Sequence, residues 1–148
     1  MCGIVGLIDL DKKLNREKNS FIIRNMCETL SHRGPDGQGI FISNDGHVGL
    51  GHRRLAILDL SSHGHQPMSD ETCEIQLTFN GEIYNFPELK YNLKKKEHNF
   101  YTKTDTEVIL HLYEEYGIDC LKLLRGMFAF AIWDTTKQQL FLARDRLG

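Results

Sequence analysis

The sequence lacks both an excess of one charge and a long apolar run. It has 18 Lys and Arg against 20 Asp and Glu, a net charge of -2, with the basic residues scattered along the chain. This balance gives no long-range field for binding nucleic acid or an anionic membrane, so we expect neither partner. The apolar opening, residues 3–10, has no basic segment before it and includes Asp9, which excludes a signal peptide or membrane helix. We therefore expect a cytoplasmic protein.

Cysteine is also scarce. The four cysteines, Cys2, Cys27, Cys73 and Cys120, form no CxxC pair and show no familiar ligand spacing. The sequence therefore predicts neither a disulfide framework nor a structural zinc site. Cys27 and Cys120 fall in helical patterns, where a free cysteine usually serves as a small core residue.

His52, His63 and His65 are the remaining candidates for a metal site. His63 and His65 are separated by one residue, so both could reach one ion. The Gly, Gln and Pro around them instead indicate a structured loop, and no carboxylate or cysteine lies at a familiar spacing. We predict no metal site among these residues.

What is present fits one ordered domain. The chain has 148 residues, 41% hydrophobic and 26% charged, which is enough for a core of its own. Hydrophobic periodicity predicts strands over residues 3–9, 37–43, 48–58, 74–79, 127–133 and 140–143, and helices over 17–30, 87–96 and 106–116. Asn15 is a candidate N-cap, Asp45-Gly46 predicts a hairpin turn, and residues 59–71 have the composition of a loop. Antiparallel strands with helices grouped between them indicate an α+β layered sandwich.

Cys2 is the first candidate for chemistry. Removal of Met1 would leave a chain whose first residue carries both a thiol and a free amine, and that amine could serve as general base for the thiol at neutral pH. A cysteine at this position can also be incidental. However, Gly3 to Gly6 continue directly into a buried strand, which would hold the terminus as rigidly as a nucleophile requires.

Two pairs of residues could serve such a nucleophile. Asn80-Gly81 follows the strand over 74–79 and could offer a side-chain amide and a backbone N–H to an oxyanion, although Asn-Gly is also the strongest hairpin signal. Arg54 and Asp105 have the chemistry to bind the carboxylate and ammonium of an amino acid. Arg54 could equally be an outward-facing strand residue, and Asp105, or Thr104 before it, an N-cap.

Six motifs lie in order over nearly the whole chain: MCGIVG at 1–6, HRGPD at 32–36, GHRRLAI at 51–57, NGEIYN at 80–85, TDTE at 104–107 and RGMFAF at 125–130. Together they resemble the glutaminase domain of class II glutamine amidotransferases, and most of all that of glutamine-hydrolysing asparagine synthetases. Glutamine phosphoribosylpyrophosphate amidotransferases and glucosamine-phosphate synthases share the Cys-Gly-Ile opening and an Asn-Gly turn, but their neighbouring motifs differ.

The resemblance implies a fold and a reaction. The fold is the N-terminal-nucleophile hydrolase type, a four-layer αββα sandwich of two mainly antiparallel sheets. The reaction is the hydrolysis of glutamine to glutamate and ammonia, in which Cys2 attacks the carboxamide and forms a thioester while its own amine moves the protons. By the same resemblance Asn80 and Gly81 stabilise the oxyanion, and the step needs no metal or cofactor.

The resemblance also assigns the substrate contacts. Arg54 would bind the carboxylate of glutamine, Glu82 and Asp105 its ammonium, and the backbone of Leu55 and Ile57 would line the pocket. A Met1 that stayed attached would hold the amine of Cys2 in a peptide bond and leave the reaction without its base.

A further domain is implied as partner. In the family, ammonia passes to a C-terminal synthetase domain of the same full-length chain, which uses ATP and Mg²⁺ to make asparagine from aspartate. That domain is absent from residues 1–148, and the segment 144–148 continues in relatives into more strands of the glutaminase domain. We therefore expect a truncated domain with an unpaired sheet edge, and the resemblance leaves room for a homodimer.

Two alternatives to this function remain open. The domain could bind glutamine without turning it over, as relatives that lost the nucleophile do. It could also be the glutaminase of a related amidotransferase that acts on another carboxylate, because nothing in these residues identifies the ammonia acceptor.

Overall fold

Seven strands and three α-helices make up the chain over the residues that the computed structural model describes, 2–57 and 61–147. In order they are β1 (Gly3–Ile8), α1 (Arg16–Thr29), β2 (Gly37–Ile42), β3 (Val48–Arg54), β4 (Met68–Ser69), β5 (Ile75–Ile83), α2 (Phe86–Lys94), α3 (Thr106–Tyr116), β6 (Gly126–Asp134) and β7 (Gln139–Arg144). Short 3₁₀ helices cover Ser62–Gly64 and Gly117–Lys122. The strands form two antiparallel sheets, ordered β1-β3-β2 and β4-β5-β6-β7.

Three apolar clusters fill the spaces between four layers. Ile23 and Cys27 of α1 are fully buried in a cluster with the first sheet. Leu50 of the first sheet and Trp133 of the second share the cluster between the sheets. Ile109 belongs to the largest cluster, which joins α2 and α3 to the second sheet. Burial of each such side chain contributes about 1.5–3 kcal/mol, so these clusters hold the layers together. The predicted α+β, four-layer αββα sandwich is confirmed.

Helix α1 shows how local sequence sets an element's limits. The Asn15 side chain accepts a hydrogen bond from the Lys18 N–H at 2.8 Å, which satisfies one of the donors left free at a helix start. At the other end the Leu30 N–H bonds back to the carbonyls of Cys27 and Glu28. The predicted helix and N-cap are thus confirmed. No helix within 2–57 or 61–147 has the length and apolarity needed to cross a membrane.

The predicted hairpin between β2 and β3 is also confirmed, but the strand after it is shorter than expected. Gly46 adopts a φ of +80° in the turn, and the two strands pair from Gly37 with Arg54 to Ile42 with Gly49. β3 ends at Arg54, and Leu58, the predicted end, lies outside the described residues. Asp59 and Leu60 of the predicted loop lie outside them too, and the described part of that loop contains β4 and a 3₁₀ turn that periodicity missed.

The placement of Asn80-Gly81 is a correction. The sequence predicted that the pair follows a strand or forms a hairpin turn, whereas both residues lie inside β5, opposite Ala129 and Phe128 of β6. Both predictions were wrong because β6 pairs with β5 along all nine of its residues. The glycine is needed there for space, since a Cβ on Gly81 would lie 2.2 Å from the Met127 carbonyl oxygen.

Candidate active site

One cavity of about 130 Å³ opens beside the start of β1 and the end of β3. All eight predicted site residues line it: Cys2, Arg54, Leu55, Ile57, Asn80, Gly81, Glu82 and Asp105. Sequence reasoning did not assign the others to the site: His52, Gly64, Gln66, Phe79, Thr104, Thr106 and Met127. Drug-sized ligands usually occupy about 300–1,000 Å³, so this smaller cavity suits a ligand the size of an amino acid.

Cys2 lies at the edge of this cavity because of the pairing of β1 with β3. Gly3 pairs with Arg53. Because the strands are antiparallel, Cys2, which precedes Gly3, lies beside the residues that follow Arg53. The Leu55 N–H donates to the Cys2 sulfur at 3.3 Å, and the sulfur lies 3.7 Å from the Leu55 carbonyl oxygen. These contacts fix the sulfur on the cavity side. The predicted removal of Met1 concerns a residue outside the described part of the chain.

The loop at residues 32–36 holds the terminus from the other side. Arg33 donates through Nε to the Cys2 carbonyl oxygen at 3.1 Å. Gly34 packs so closely on the backbone of Arg53 that a Cβ would lie 2.4 Å from its carbonyl carbon. The motif at residues 32–36 contributed only to the resemblance, and Arg33 had no predicted role.

Asp36, at the end of the same loop, fixes the chain after β3. Its backbone N–H donates to the Arg54 carbonyl at 2.9 Å, and its carboxylate accepts from the Ala56 N–H at 2.9 Å. Leu55 and Ile57, on either side of Ala56, both line the cavity, and Ile57 is 71% exposed at its rim. The Asp36 carboxylate thus positions the part of the cavity wall that Leu55 and Ile57 form.

Arg54 is buried in the cavity wall, with 8% of its surface exposed, so the outward-facing alternative was wrong. Its Nη1 donates to the Ser61 carbonyl at 2.7 Å. The guanidinium lies close to Gly64, where a Cβ would come within 2.4 Å of Nη2. A larger residue at position 64 would therefore require the Arg54 guanidinium to move.

Asp105 is buried across the same cavity and is 5% exposed. It occupies the N-cap position of α3 but makes no side-chain cap bond, and its carboxylate accepts instead from the Ile83 N–H at 2.8 Å. Burial raises the pKa of Asp105, the nearby charge of Glu82 raises it further, and the Ile83 bond opposes both. Glu82 itself is exposed at the cavity mouth.

Asn80 presents a side-chain amide whose oxygen has no partner. Its Oδ1 is buried and makes no hydrogen bond to any described residue. Leaving a buried polar atom unsatisfied costs about 1–3 kcal/mol, and such atoms in a cavity wall mark groups that a ligand can satisfy. Together with Gly81 in β5, the amide can rotate to offer either its oxygen or its NH₂ group to that ligand.

His52 forms the back of the cavity and joins the two sheets. Its Nε2 lies 3.2 Å from the Phe79 carbonyl oxygen of β5, so this nitrogen carries the proton and donates. Desolvation lowers the pKa of His52 from 6.5 to about 4. The ring is therefore neutral at physiological pH.

A family model described as "Glutamine amidotransferase domain" matches residues 1–148. The chain belongs to this family.

Two curated relatives of this amidotransferase domain match it over its whole length. Asparagine synthetase [glutamine-hydrolyzing] 2 of Bacillus subtilis is 46% identical over 148 residues, which are 19% of that protein. Amidase chry2 of Gibberella zeae is 40% identical over 155 residues, which are 23% of that protein. The chain thus spans about a fifth to a quarter of the length of these two relatives.

A solved structure confirms the fold type. The glutamine phosphoribosylpyrophosphate amidotransferase of B. subtilis, complexed with ADP and GMP, superposes with a TM-score of 0.78 at 23% identity. The match covers 98% of this chain and 37% of the other. The amidotransferase domain therefore has the N-terminal-nucleophile fold that the resemblance implied.

The buried His52 predicts a pH dependence of stability. The unfolded chain protonates this residue near pH 6.5, but the folded chain does so only near pH 4. The unfolded state therefore binds more protons between these values, and stability falls as pH is lowered through them, by on the order of 3 kcal/mol. Urea unfolding at pH 7 and pH 4.5 will measure this loss, and His52→Gln should lack it. Equal losses in both proteins would contradict the assignment.

The hydrogen bond from Arg33 gives a second prediction. Arg33→Met keeps much of the side-chain volume but removes the donor to the Cys2 carbonyl, so the free energy of unfolding should fall by about 1.5–3 kcal/mol. Urea unfolding will measure the change, with Arg24→Met on the exposed face of α1 as the matched control. The amino terminus of the Arg33 variant should also be trimmed faster by an aminopeptidase; identical stability and trimming in the two variants would refute this role.

Proposed function

We propose that this chain hydrolyses glutamine to glutamate and ammonia through a thioester on Cys2. We propose further that a synthetase domain of the same full-length protein uses the ammonia, with ATP and Mg²⁺, to make asparagine from aspartate. One observation carries the proposal: a thiol, an unsatisfied amide and two buried side chains of opposite charge line one small cavity.

The two charges fit the main-chain groups of a free amino acid. An isolated charge is costly to bury, and a partner of opposite sign offsets that cost. Arg54 can bind the carboxylate of glutamine bidentately, while Asp105 and Glu82 receive its ammonium. Leu55 and Ile57 shape the wall beside the substrate. The side-chain carboxamide would then extend towards Cys2.

The chemistry at that carboxamide follows from the groups present. The Cys2 thiol passes its proton to its own α-amine, which Met1 removal makes available, and the sulfur attacks the carbonyl carbon. The Asn80 NH₂ group and the Gly81 N–H stabilise the oxyanion, and one such donor can be worth about 2.7–4 kcal/mol. The C–N bond breaks, and ammonia leaves with the proton. Water then attacks the thioester, releasing glutamate and restoring the thiol. No metal or cofactor takes part in these steps.

The choice of acceptor rests on the named relatives. The B. subtilis relative is named as a glutamine-hydrolysing asparagine synthetase, which supports aspartate as the acceptor. The relative named as an amidase supports the alternative, a related amidotransferase acting on another carboxylate. A truncated domain, a cytoplasmic location and a homodimer stay predictions from the sequence.

The decisive experiment measures glutamate release from glutamine by protein whose mature amino terminus is confirmed by mass spectrometry. Cys2→Ala should abolish release, lowering the rate at least about 10⁴-fold, because the nucleophile is lost. Cys73→Ser, which changes an exposed cysteine, should not alter the rate. Release by Cys2→Ala at the wild-type rate would refute the mechanism. If wild type binds glutamine without turnover, the binding-module alternative holds instead.

Arg54 can be tested by binding alone. In a Cys2→Ala background, Arg54→Lys should weaken glutamine binding about 10- to 100-fold, because lysine cannot form the bidentate contact with a carboxylate. Isothermal titration calorimetry measures this directly and avoids kinetic terms in KM. Arg24→Lys on the surface of α1 serves as control. Unchanged affinity in the Arg54 variant would remove the residue from the substrate site.

A further inference from the structure

A second cluster of chemically active side chains lies outside the cavity, on α3 and on the segment that precedes it. His98 belongs to that segment, residues 95–105, which connects α2 to α3. His111 and Glu114 lie on α3, three residues apart. One ligand atom from each of these three residues lies within 4.8 Å of the other two.

The spacing of the three ligand atoms matches one metal ion. The two Nδ1 atoms of His98 and His111 are 3.2 Å apart. The Glu114 Oε2 lies 2.7 Å from the His111 nitrogen and 3.4 Å from the His98 nitrogen. A tetrahedral zinc site with bonds of 2.0–2.1 Å places its ligand atoms about 3.3–3.4 Å apart. An ion can therefore contact all three atoms with little movement of the side chains.

Hydrogen bonds among these groups leave one ring nitrogen unsatisfied. His111 is 4% exposed, and its Nε2 is buried without a hydrogen-bond partner among the described residues. If Nδ1 carries the proton and donates to Glu114, then Nε2 is an acceptor with no donor. A metal on Nδ1 moves the proton to Nε2, which faces the Glu107 carboxylate at 3.9 Å. The metal-bound form would thus place an imidazole N–H, rather than an acceptor nitrogen without a donor, on the side of a carboxylate, which lies within ion-pair distance but beyond direct hydrogen-bond distance.

The contacts that surround the His98 and His111 rings resemble those of histidines that bind metals. The other ring nitrogen of His98, Nε2, lies 3.0 Å from a Glu115 carboxylate oxygen, and Lys96 holds the second oxygen of that carboxylate at 2.6 Å. A histidine that binds a metal usually donates its second N–H to a carboxylate in this way, which fixes the ring and makes it a stronger ligand. The Phe100 ring packs edge-on against His111 and shields it from water.

We propose that His98 Nδ1, His111 Nδ1 and Glu114 Oε2 bind one Zn²⁺ ion, with water in the fourth position. Two imidazoles and a carboxylate are ligands that zinc accepts, whereas Mg²⁺ and Ca²⁺ prefer oxygen ligands alone. The ion would fasten residues 95–105 to α3. Because that segment ends at Asp105, the site stabilises the part of the chain that delivers this carboxylate to the cavity.

The test measures Zn²⁺ binding by competition with a chromophoric chelator. It uses a Cys2→Ala, Cys73→Ser background, since an exposed thiol or a terminal aminothiol would bind zinc independently. We expect one ion per chain, and His98→Ala and Glu114→Gln should each weaken binding by at least about 100-fold. The matched controls are Glu88→Gln on α2 and His32→Ala after α1, both at exposed positions, which should bind zinc like the background protein.

Two further measurements separate a metal site from a plain hydrogen-bond network. Co²⁺ added to the background protein should give the visible absorption bands of a tetrahedral nitrogen and oxygen site, and both cluster variants should lose them. Zn²⁺ should raise the Tm of the background protein but not that of the variants, whose folding is checked by circular dichroism without metal. Failure to bind zinc, or equal binding by cluster and control variants, would overturn the proposal.

Discussion

The antiparallel pairing of β1 with β3 is the constraint on which the rest of the site depends. It places Gly3 opposite Arg53 and so brings the Cys2 sulfur to the Leu55 N–H. A slip of one residue would turn every side chain of β1 to the opposite face and move the sulfur away from the cavity. Glycines in β3 also fix the position of that strand against α1, because the helix packs where their side chains would be. A Cβ on Gly51 would lie 2.5 Å from the Cys27 sulfur.

The second sheet is aligned with the first by buried polar contacts rather than by apolar packing alone. His52 donates to the Phe79 carbonyl, and Thr78 donates to the Gly51 carbonyl at 3.3 Å. The Phe79 N–H in turn donates to the Gln66 side chain at 2.6 Å. Apolar contacts tolerate sliding, but these bonds have directions, and breaking one would leave a buried polar group unsatisfied. Asn80 follows Phe79 directly, so its distance from Cys2 is fixed by these bonds.

Sequence reasoning predicted those features that depend on local periodicity or on a motif's chemistry. The helices over 17–30 and 106–116 and the turn at Gly46 follow from such signals, and the structure confirms them. Asn80-Gly81 was misplaced because a local turn signal is weaker than pairing with nine residues of β6. The role of Arg33 depends on how a loop folds back over β1, which no local pattern reveals.

The cluster on α3 was missed for a related reason. His98 lies in an irregular segment thirteen residues before His111, and only the packing of α2 beside α3 brings the two together. The partial signal was His111 and Glu114, which are three residues apart and so share one face of a helix.

Helix α3 connects the two sites physically. Thr106, in its first turn, lines the cavity, and Glu114 near its other end belongs to the His98 cluster. The segment before it is held to its first turn by Glu107, whose carboxylate accepts from the backbone N–H groups of Tyr101 and Thr102 at 2.7 and 2.9 Å. Asp105 is therefore held between β5 and α3 rather than carried on a free loop. In the proposed function, a carboxylate held in this way would favour an amino acid whose ammonium and carboxylate already have the separation of Asp105 and Arg54.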